Sequence, residues 1–256
     1  MQVDVVTAVH ASHAAFLPAA WGSLLAQSHT RWRWLVQIDG PSDEVRAVLN
    51  ACAATEDPRV LVASHGTYEG PAITRNVALG RGSAPLVQNV DADDELETDA
   101  LAVLATALDT HPDAGYAVGY ARDLMADGTL VDHPLPVPSG TLPRGVLPRT
   151  WKAGPAEYRV PVHPAGVMWR RPLLLALGGW SALRGMEDTG ALMAASAAAE
   201  GVLVDAPTLR YRRHAAQRSK QTSKFAGGGA QIALIRERTA VLSSLPPWKH
   251  AFSDFP

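Results

Sequence analysis

Short apolar runs rich in β-branched residues recur along the first part of the chain, at Val3–Val9, Trp34–Ile38, Arg59–Ala63 and Leu86–Val90. Each has the length and composition of a buried strand. Between them the apolar period lengthens to that of a helix. Leu17, Ala20, Trp21, Leu24 and Leu25 fall on one helical face, and Leu101, Leu104 and Leu108 stripe another helix. The pair Gly70-Pro71 opens a helix carrying Ile73, Arg75, Asn76 and Val77, with proline at a tolerated first-turn position. Ser42, at the end of Asp39-Gly40-Pro41-Ser42, is placed to cap a further helix. Strand and helix alternate to about Asp109, which predicts right-handed crossovers and an α/β fold with a mostly parallel sheet, helices on both faces.

After Gly115 the pattern changes. Tyr116–Met125 reads as a strand that turns through Asp127-Gly128 into Thr129-Leu130-Val131. The segment Pro134 to Pro164 holds eight of the 19 prolines, with Trp151, Lys152, Tyr158 and His163 among them. Such a long irregular stretch is either a functional loop or a solvated connector. A short helix from Pro172 to Leu177 is halted by Gly178-Gly179, Trp180 follows, and Glu187-Asp188 opens an alanine-rich helix. Val202–Val204 reads as a last short strand, and Thr208–His214 leads into a polar segment ending near Lys224. Beyond a Gly227-Gly228-Gly229 hinge, Leu234, Ile235, Val241, Leu242 and Leu245 are expected to share one face of a final helix, with Trp248, Phe252 and Phe255 in the tail.

Ligands of such sheets bind beyond the carboxyl ends of the strands. Those ends supply His10, Asp39, the segment before Gly70, and Asp91 with Asp93, so polar residues collect on one edge. The densest group is Asp91-Ala92-Asp93-Asp94-Glu95. Carboxylates this close repel one another and are costly to desolvate, and a cation compensates both effects. Hard oxygen donors suit Mg²⁺ or Mn²⁺, ions that commonly hold phosphate oxygens. Taken alone, the triplet also fits a polar loop before an acidic helix start.

At 256 residues, 47% hydrophobic and 19% charged, the chain can bury one large core or two intimate ones. A formal charge of -2 argues against an electrostatic nucleic-acid binder, which needs a concentrated basic surface. The single cysteine, Cys52, rules out an intrachain disulfide framework and suits a reducing compartment. No stretch resembles a signal peptide or spans a bilayer, so a cytoplasmic protein is expected, at most peripheral to the membrane.

In this order and at these spacings, the motifs resemble family-2 inverting glycosyltransferases of the GT-A fold, over nearly the whole length to about Lys220. The resemblance rests on Ser23-Leu24-Leu25-Ala26-Gln27-Ser28, Ile38-Asp39-Gly40-Pro41-Ser42, Gly70-Pro71-Ala72-Ile73-Thr74-Arg75-Asn76 and Asp91-Ala92-Asp93-Asp94. It continues through Leu177-Gly178-Gly179-Trp180, Glu187-Asp188 and Tyr211-Arg212-Arg213-His214. The chain departs from the family in its N-terminal loop, which lacks the usual Tyr-Asn pair, and in the missing second acid beside Asp39.

The resemblance implies a nucleotide-sugar donor, usually a UDP-sugar, a hydroxyl acceptor (saccharide, natural product or lipid-linked sugar) and Mn²⁺ or Mg²⁺. It places Ala8, His10, Asp39, Arg75, Asp91, Ala92 and Asp93 at the nucleotide, Asp93 and His214 at the metal, and Asp188 as catalytic base. Glu187, Trp180, Trp151 and His163 fall on the acceptor side. Residues 1–114 are then the donor half, 115–224 the acceptor and catalytic half of the same domain, and 225–256 a C-terminal helix and tail available for a homodimer contact. Arg210, Arg212, Arg213, Arg218, Lys220 and Lys224 form either a solvated face or a segment closing over diphosphate. Asp188 also fits a helix-start acid and Asp39 a turn acid. A sugar nucleotidyltransferase, or a nucleotide-sugar-binding protein without turnover, are the alternative functions.

Overall fold

The computed structural model describes residues 1–154, 157–215, 217 and 228–249. Its strands are β1 (Val3–His10), β2 (Trp32–Asp39), β3 (Val60–Ser64), β4 (Leu86–Asn89), β5 (Glu95–Leu96), β6 (Ala114–Leu124), β7 (Leu130–Val131), β8 (Gly140–Leu142), β9 (Lys152–Ala153), β10 (Tyr158–Arg159), β11 (Met168–Arg170) and β12 (Glu200–Arg212). Its helices are α1 (Leu17–Leu25), α2 (Asp43–Ala51), α3 (Pro71–Arg81), α4 (Ala100–Thr110), α5 (Val146–Thr150), α6 (Arg171–Ala176), α7 (Glu187–Ala198) and α8 (Gly228–Ser244). The main sheet runs β3-β2-β1-β4-β11-β6-β12-β5. It is parallel from β3 to β4 and again between β6 and β12, and β11 joins the two parts antiparallel to both neighbours. One sheet therefore passes through both halves of the chain.

Alternation along each strand sends side chains to two cores. Val3, Val5 and Val9 of β1 pack with Trp21 and Leu24 of α1, Val45 and Leu49 of α2, and Leu101, Leu104 and Leu108 of α4. Val6 of β1 points the other way, toward Leu79 of α3, Leu173 and Leu174 of α6, and the alanines of α7. Leu17 and Leu24 are fully enclosed, each contributing roughly 1.5–3 kcal/mol by removal from water. Trp21 stacks on Trp34 at 5.7 Å and 3°. Helix α7 is buried nearly all round. Small side chains at most of its positions let it fit between the sheet and its helical neighbours, with Leu192 and Met193 the large ones buried among its alanines.

Two expectations need correction. β12 is one strand of 13 residues that runs on to Arg212, longer than the short strand expected at Val202–Val204. Register shifts on both sides of Pro207 accommodate the proline as a bulge while the chain stays extended. Gly119 of β6 permits this close approach, since a Cβ there would lie 2.4 Å from Thr208 Cγ2. The apolar residues of α8 also split between two stripes. Ile235 is buried and Leu242 packs against the second core, while Leu234, Val241 and Leu245 stand exposed. Helix α8 docks on α7 of its own chain, and the Trp248 amide donates to Ala198 O at 2.9 Å. Phe252 and Phe255 lie outside the described residues, as do Arg218, Lys220, Lys224 and Gly227.

Candidate active site

The acidic turn after β4 is held from both sides. Thr7 Oγ1 donates to Val90 O at 2.9 Å and accepts from Trp34 Nε1 at 2.9 Å. On the other side Asn89 Nδ2 donates to Ala165 O, and Trp169 Nε1 donates to Asn89 Oδ1. The end of β12 clamps the turn from above: the Arg212 amide donates to Asp94 Oδ1 and its Nε to Asp93 O, each at 2.9 Å. This clamp also delivers His214, whose Nε2 lies 2.9 Å from Asp93 Oδ2.

The strand ends converge on a cavity of about 480 Å³ whose lining includes Ala8, His10, Asp39, Arg75, Asp91, Ala92, Asp93, Glu187 and Asp188. At its far wall Arg75 is buried among carboxylates from opposite ends of the chain. Its Nη2 lies 2.5 Å from Asp91 Oδ1, and its Nη1 lies 3.0 Å from Asp188 Oδ1 and 3.7 Å from Glu187 Oε1. Burial works against the guanidinium charge, but Asp188, Asp91 and Glu187 outweigh it and raise Arg75 above its ordinary value. The residue expected at the nucleotide is thus also the tie between the acidic turn and the start of α7. No side-chain cap closes the first turn of α7, and both of its carboxylates reach Arg75.

Asp39 lines the cavity, but its carboxylate also accepts from the Glu69 amide at 2.7 Å and the Gly70 amide at 3.1 Å. It therefore orients the segment that opens α3. That segment carries Tyr68, which the sequence did not single out. Its ring lies 5.0 Å from that of His10, tilted by 35°, giving the cavity an aromatic pair at the end of β1. No spacing rule marks an isolated tyrosine in a loop, and only the contact reveals it.

Among the described residues two overlapping sets of ligand atoms could hold a divalent ion: His13, Asp93 and His214, or Asp91, Asp93 and Asp94. Burial, then the charges of Asp93 and Asp91, push the Asp94 carboxyl well above the usual carboxylate range. Asp94 Oδ2 has no hydrogen-bond partner among the described residues. A cation would relieve both conditions, so the donor set fits one.

A second cavity of about 650 Å³ shares Asp91, Asp188 and Tyr211 with the first. Pro134, Leu135, Pro136, Tyr158, Val160, Val162 and His163 give it walls from the proline-rich segment, with Arg159 and Arg213 among its polar groups. His163 is the one of the expected acceptor-side aromatics that lines it. Its ring lies 4.4 Å from that of Tyr211, and burial pushes its imidazole down to about 4. Trp151 and Trp180, expected on the same side, sit in the second core and line neither cavity. Asn76 fixes the Trp180 backbone, donating to its carbonyl at 3.1 Å and accepting from its amide at 2.9 Å. The tryptophan packs because the two preceding glycines, at φ +79 and +73, turn the chain back inward.

The His163 shift carries a pH signature. Its folded-state value of about 4 lies below the ordinary 6.5, so between those values the unfolded chain binds the proton more tightly. The stability contribution is full above pH 6.5 and is lost as pH falls through 4. His163→Asn should flatten the fall in melting temperature across that window. An unchanged slope would show that this imidazole does not titrate as its surroundings dictate.

Among known proteins, a 131-residue stretch is 30% identical to the uncharacterized protein y4gI of Sinorhizobium fredii (strain NBRC 101917 / NGR234), covering 51% of this chain and 14% of that protein's length. Among solved structures, S. aureus TarS 1–349 in complex with UDP-GlcNAc superposes with a TM-score of 0.71 at 16% identity, over 95% of this chain and 71% of that one. The mannosyltransferase PcManGT from Pyrobaculum calidifontis, in complex with GDP-Man and Mn²⁺, superposes with a TM-score of 0.61 at 15% identity, over 96% of this chain and 66% of that one. At these identities the superpositions establish the shared fold, a mixed α/β sheet with helices on both faces. Residues 4–173 match the profile of Glycosyl transferase family 2, and the chain belongs to that family.

Proposed function

We propose that the chain is a metal-dependent inverting glycosyltransferase that moves a sugar from a UDP-sugar to an acceptor hydroxyl. The observation that carries this reading is the meeting of the two cavities at Asp91, Asp188 and Tyr211. A donor in the first cavity has its diphosphate at the Asp93 end and its sugar toward Asp188, while an acceptor enters from the second. The UDP and UDP-GlcNAc of the TarS complexes and the GDP-Man and Mn²⁺ of the mannosyltransferase support a nucleotide-sugar donor. No helix among the described residues is long and apolar enough to cross a membrane.

The residues then divide the work. His10 and Tyr68 flank the base, with Ala8 and Asp39 beside it. Asp93 and His214 would hold the metal. A bound divalent ion neutralises the charge that develops on the departing diphosphate. Asp188 accepts the acceptor's proton as the acceptor oxygen bonds to the anomeric carbon. The bond from that carbon to the phosphate oxygen breaks, its electron pair leaves with the nucleoside diphosphate, and the configuration inverts in one displacement. Arg75 compensates Asp91 and Glu187, which would otherwise repel Asp188 at close range. The sequence also carries no Gly/Arg/Lys-rich triphosphate loop near its N-terminus, which disfavours nucleotidyl transfer.

A thermal-shift screen of nucleotide sugars with and without Mn²⁺ tests this. At a hundredfold excess over Kd, a ligand bound only by the native state adds about 2.7 kcal/mol, a rise of roughly 5–10 °C for a chain of this size. The rise should require both a UDP-sugar and the ion, and Asp93→Ala should lose the ion-dependent part. No shift with any nucleotide sugar would contradict the reading.

A further inference from the structure

We propose that His13 completes a two-histidine, one-carboxylate metal site with Asp93 and His214, and that this donor set selects a first-row transition ion over Mg²⁺. The inference deepens the metal role proposed above and rests on it.

His13 comes from the short helical turn Ala11–Phe16 after β1. Its Nε2 lies 3.9 Å from Asp93 Oδ2, the oxygen that also faces His214 Nε2. The three ligand atoms all lie within 4.8 Å of one another. The hydrogen bonds around Ser12 fix which nitrogen of His13 carries the proton. The Ser12 amide must donate to His10 Nδ1, at 3.1 Å, so that nitrogen is an acceptor. The Ser12 hydroxyl, 2.8 Å from the same nitrogen, must then donate its only hydrogen there. Its oxygen is left to accept from His13 Nδ1–H at 3.0 Å. His13 Nε2 therefore turns a lone pair toward a carboxylate, an arrangement that favours a cation between them. Orientation of a ligating imidazole through its other ring nitrogen is a recurrent device of metal sites. Phe16 packs against both imidazoles, its ring 6.3 Å from His13 and 4.7 Å from His214, and holds the pair together.

The chemistry of the donors sets the selectivity. Mg²⁺ prefers oxygen ligands and keeps its waters. Imidazole nitrogen binds transition ions in the order Mn²⁺, Fe²⁺, Co²⁺ of rising affinity, and three protein donors leave a six-coordinate ion room for phosphate oxygens.

The test is metal binding by the full chain in the presence of UDP. Co²⁺ is followed by its absorption bands, Mn²⁺ by loss of the free-ion electron paramagnetic resonance signal, and Mg²⁺ by competition with Mn²⁺. The wild-type chain should bind Co²⁺ and Mn²⁺ more tightly than Mg²⁺. His13→Ala should weaken Co²⁺ and Mn²⁺ by at least the roughly 10–100-fold that loss of a mere supporting partner costs, while leaving Mg²⁺ nearly unchanged. His13→Gln keeps a polar side chain without an imidazole and should show the same loss, which secures the test if the alanine variant folds poorly. Co²⁺ affinity equal to wild type in both variants would overturn the assignment, as would a wild-type preference for Mg²⁺. If Asp93→Ala abolishes ion binding and neither His13 variant changes it, only the role of His13 falls. If the wild-type chain binds none of the three ions, the metal-dependent reading falls with it.

Discussion

Asp188→Asn should bind a UDP-sugar and Mn²⁺ as tightly as the wild-type chain, yet transfer the sugar about 10²–10⁴-fold more slowly. Asparagine nearly matches the carboxylate in shape, so the first turn of α7 and the wall it builds should persist. It cannot take a proton. The acceptor hydroxyl would still reach the second cavity but would have to attack with its proton in place. Asp188 sits where the two cavities share walls, 3.0 Å from Arg75 Nη1, so its loss should act on chemistry and leave the proposed donor contacts at the other end of the first cavity untouched. Binding is read by calorimetry and chemistry by single-turnover release of UDP, which keeps the two apart. Wild-type turnover in this variant would remove Asp188 from the mechanism.

Arg75→Met should have the larger effect on the molecule as a whole. Its guanidinium is almost fully enclosed and faces three carboxylates. Removing it leaves Asp91, Glu187 and Asp188 confronting one another with their compensating charge gone. Breaking a buried network of this kind costs about 3–5 kcal/mol, a fall in melting temperature of roughly 6–20 °C. Arg75→Lys separates charge from geometry. Lysine restores the positive charge, but a single ammonium cannot bridge Asp91 and Asp188 as the planar fork does. The lysine variant should recover much of the stability and little of the transfer activity. If the methionine variant melts and turns over like wild type, the tie between the acidic turn and α7 carries none of the weight assigned to it.

These two residues also show how much of the site was legible in the sequence. Asp188 was, because two acids opening an alanine-rich helix form a local signal, and the family resemblance gave that signal a role. The acidic turn after β4 was legible for the same reason: a buried apolar strand ending in carboxylates is visible within a few residues. Arg75 was found but only half understood. Its partners Asp91, Glu187 and Asp188 come from distant parts of the chain, and no periodicity reports a contact made by the fold. His13 and Tyr68 emerge only from the geometry. One depends on β12 bringing His214 beside the first loop, and the other on a glycine, Gly40, whose missing Cβ would otherwise lie 2.2 Å from the tyrosine ring. The tryptophans show a different limit. The family resemblance put Trp180 on the acceptor side, and no local pattern announced that its large apolar surface would be buried in the core. In the fold, β12 read from the sequence only as the short strand Val202–Val204, because the bulge that carries the strand past Pro207 leaves no trace in the hydrophobic pattern.

The central claim is that a base at Asp188 and a diphosphate held near Asp93 face each other across one sugar, so that transfer is a single displacement. The anomeric proton of the product reports this directly. With water as acceptor in the second cavity, ¹H NMR of freshly started donor hydrolysis should show the free sugar forming first as the β anomer from an α-linked UDP-sugar, before mutarotation mixes the two. First formation of the α anomer would mean retention and would contradict the single inverting displacement.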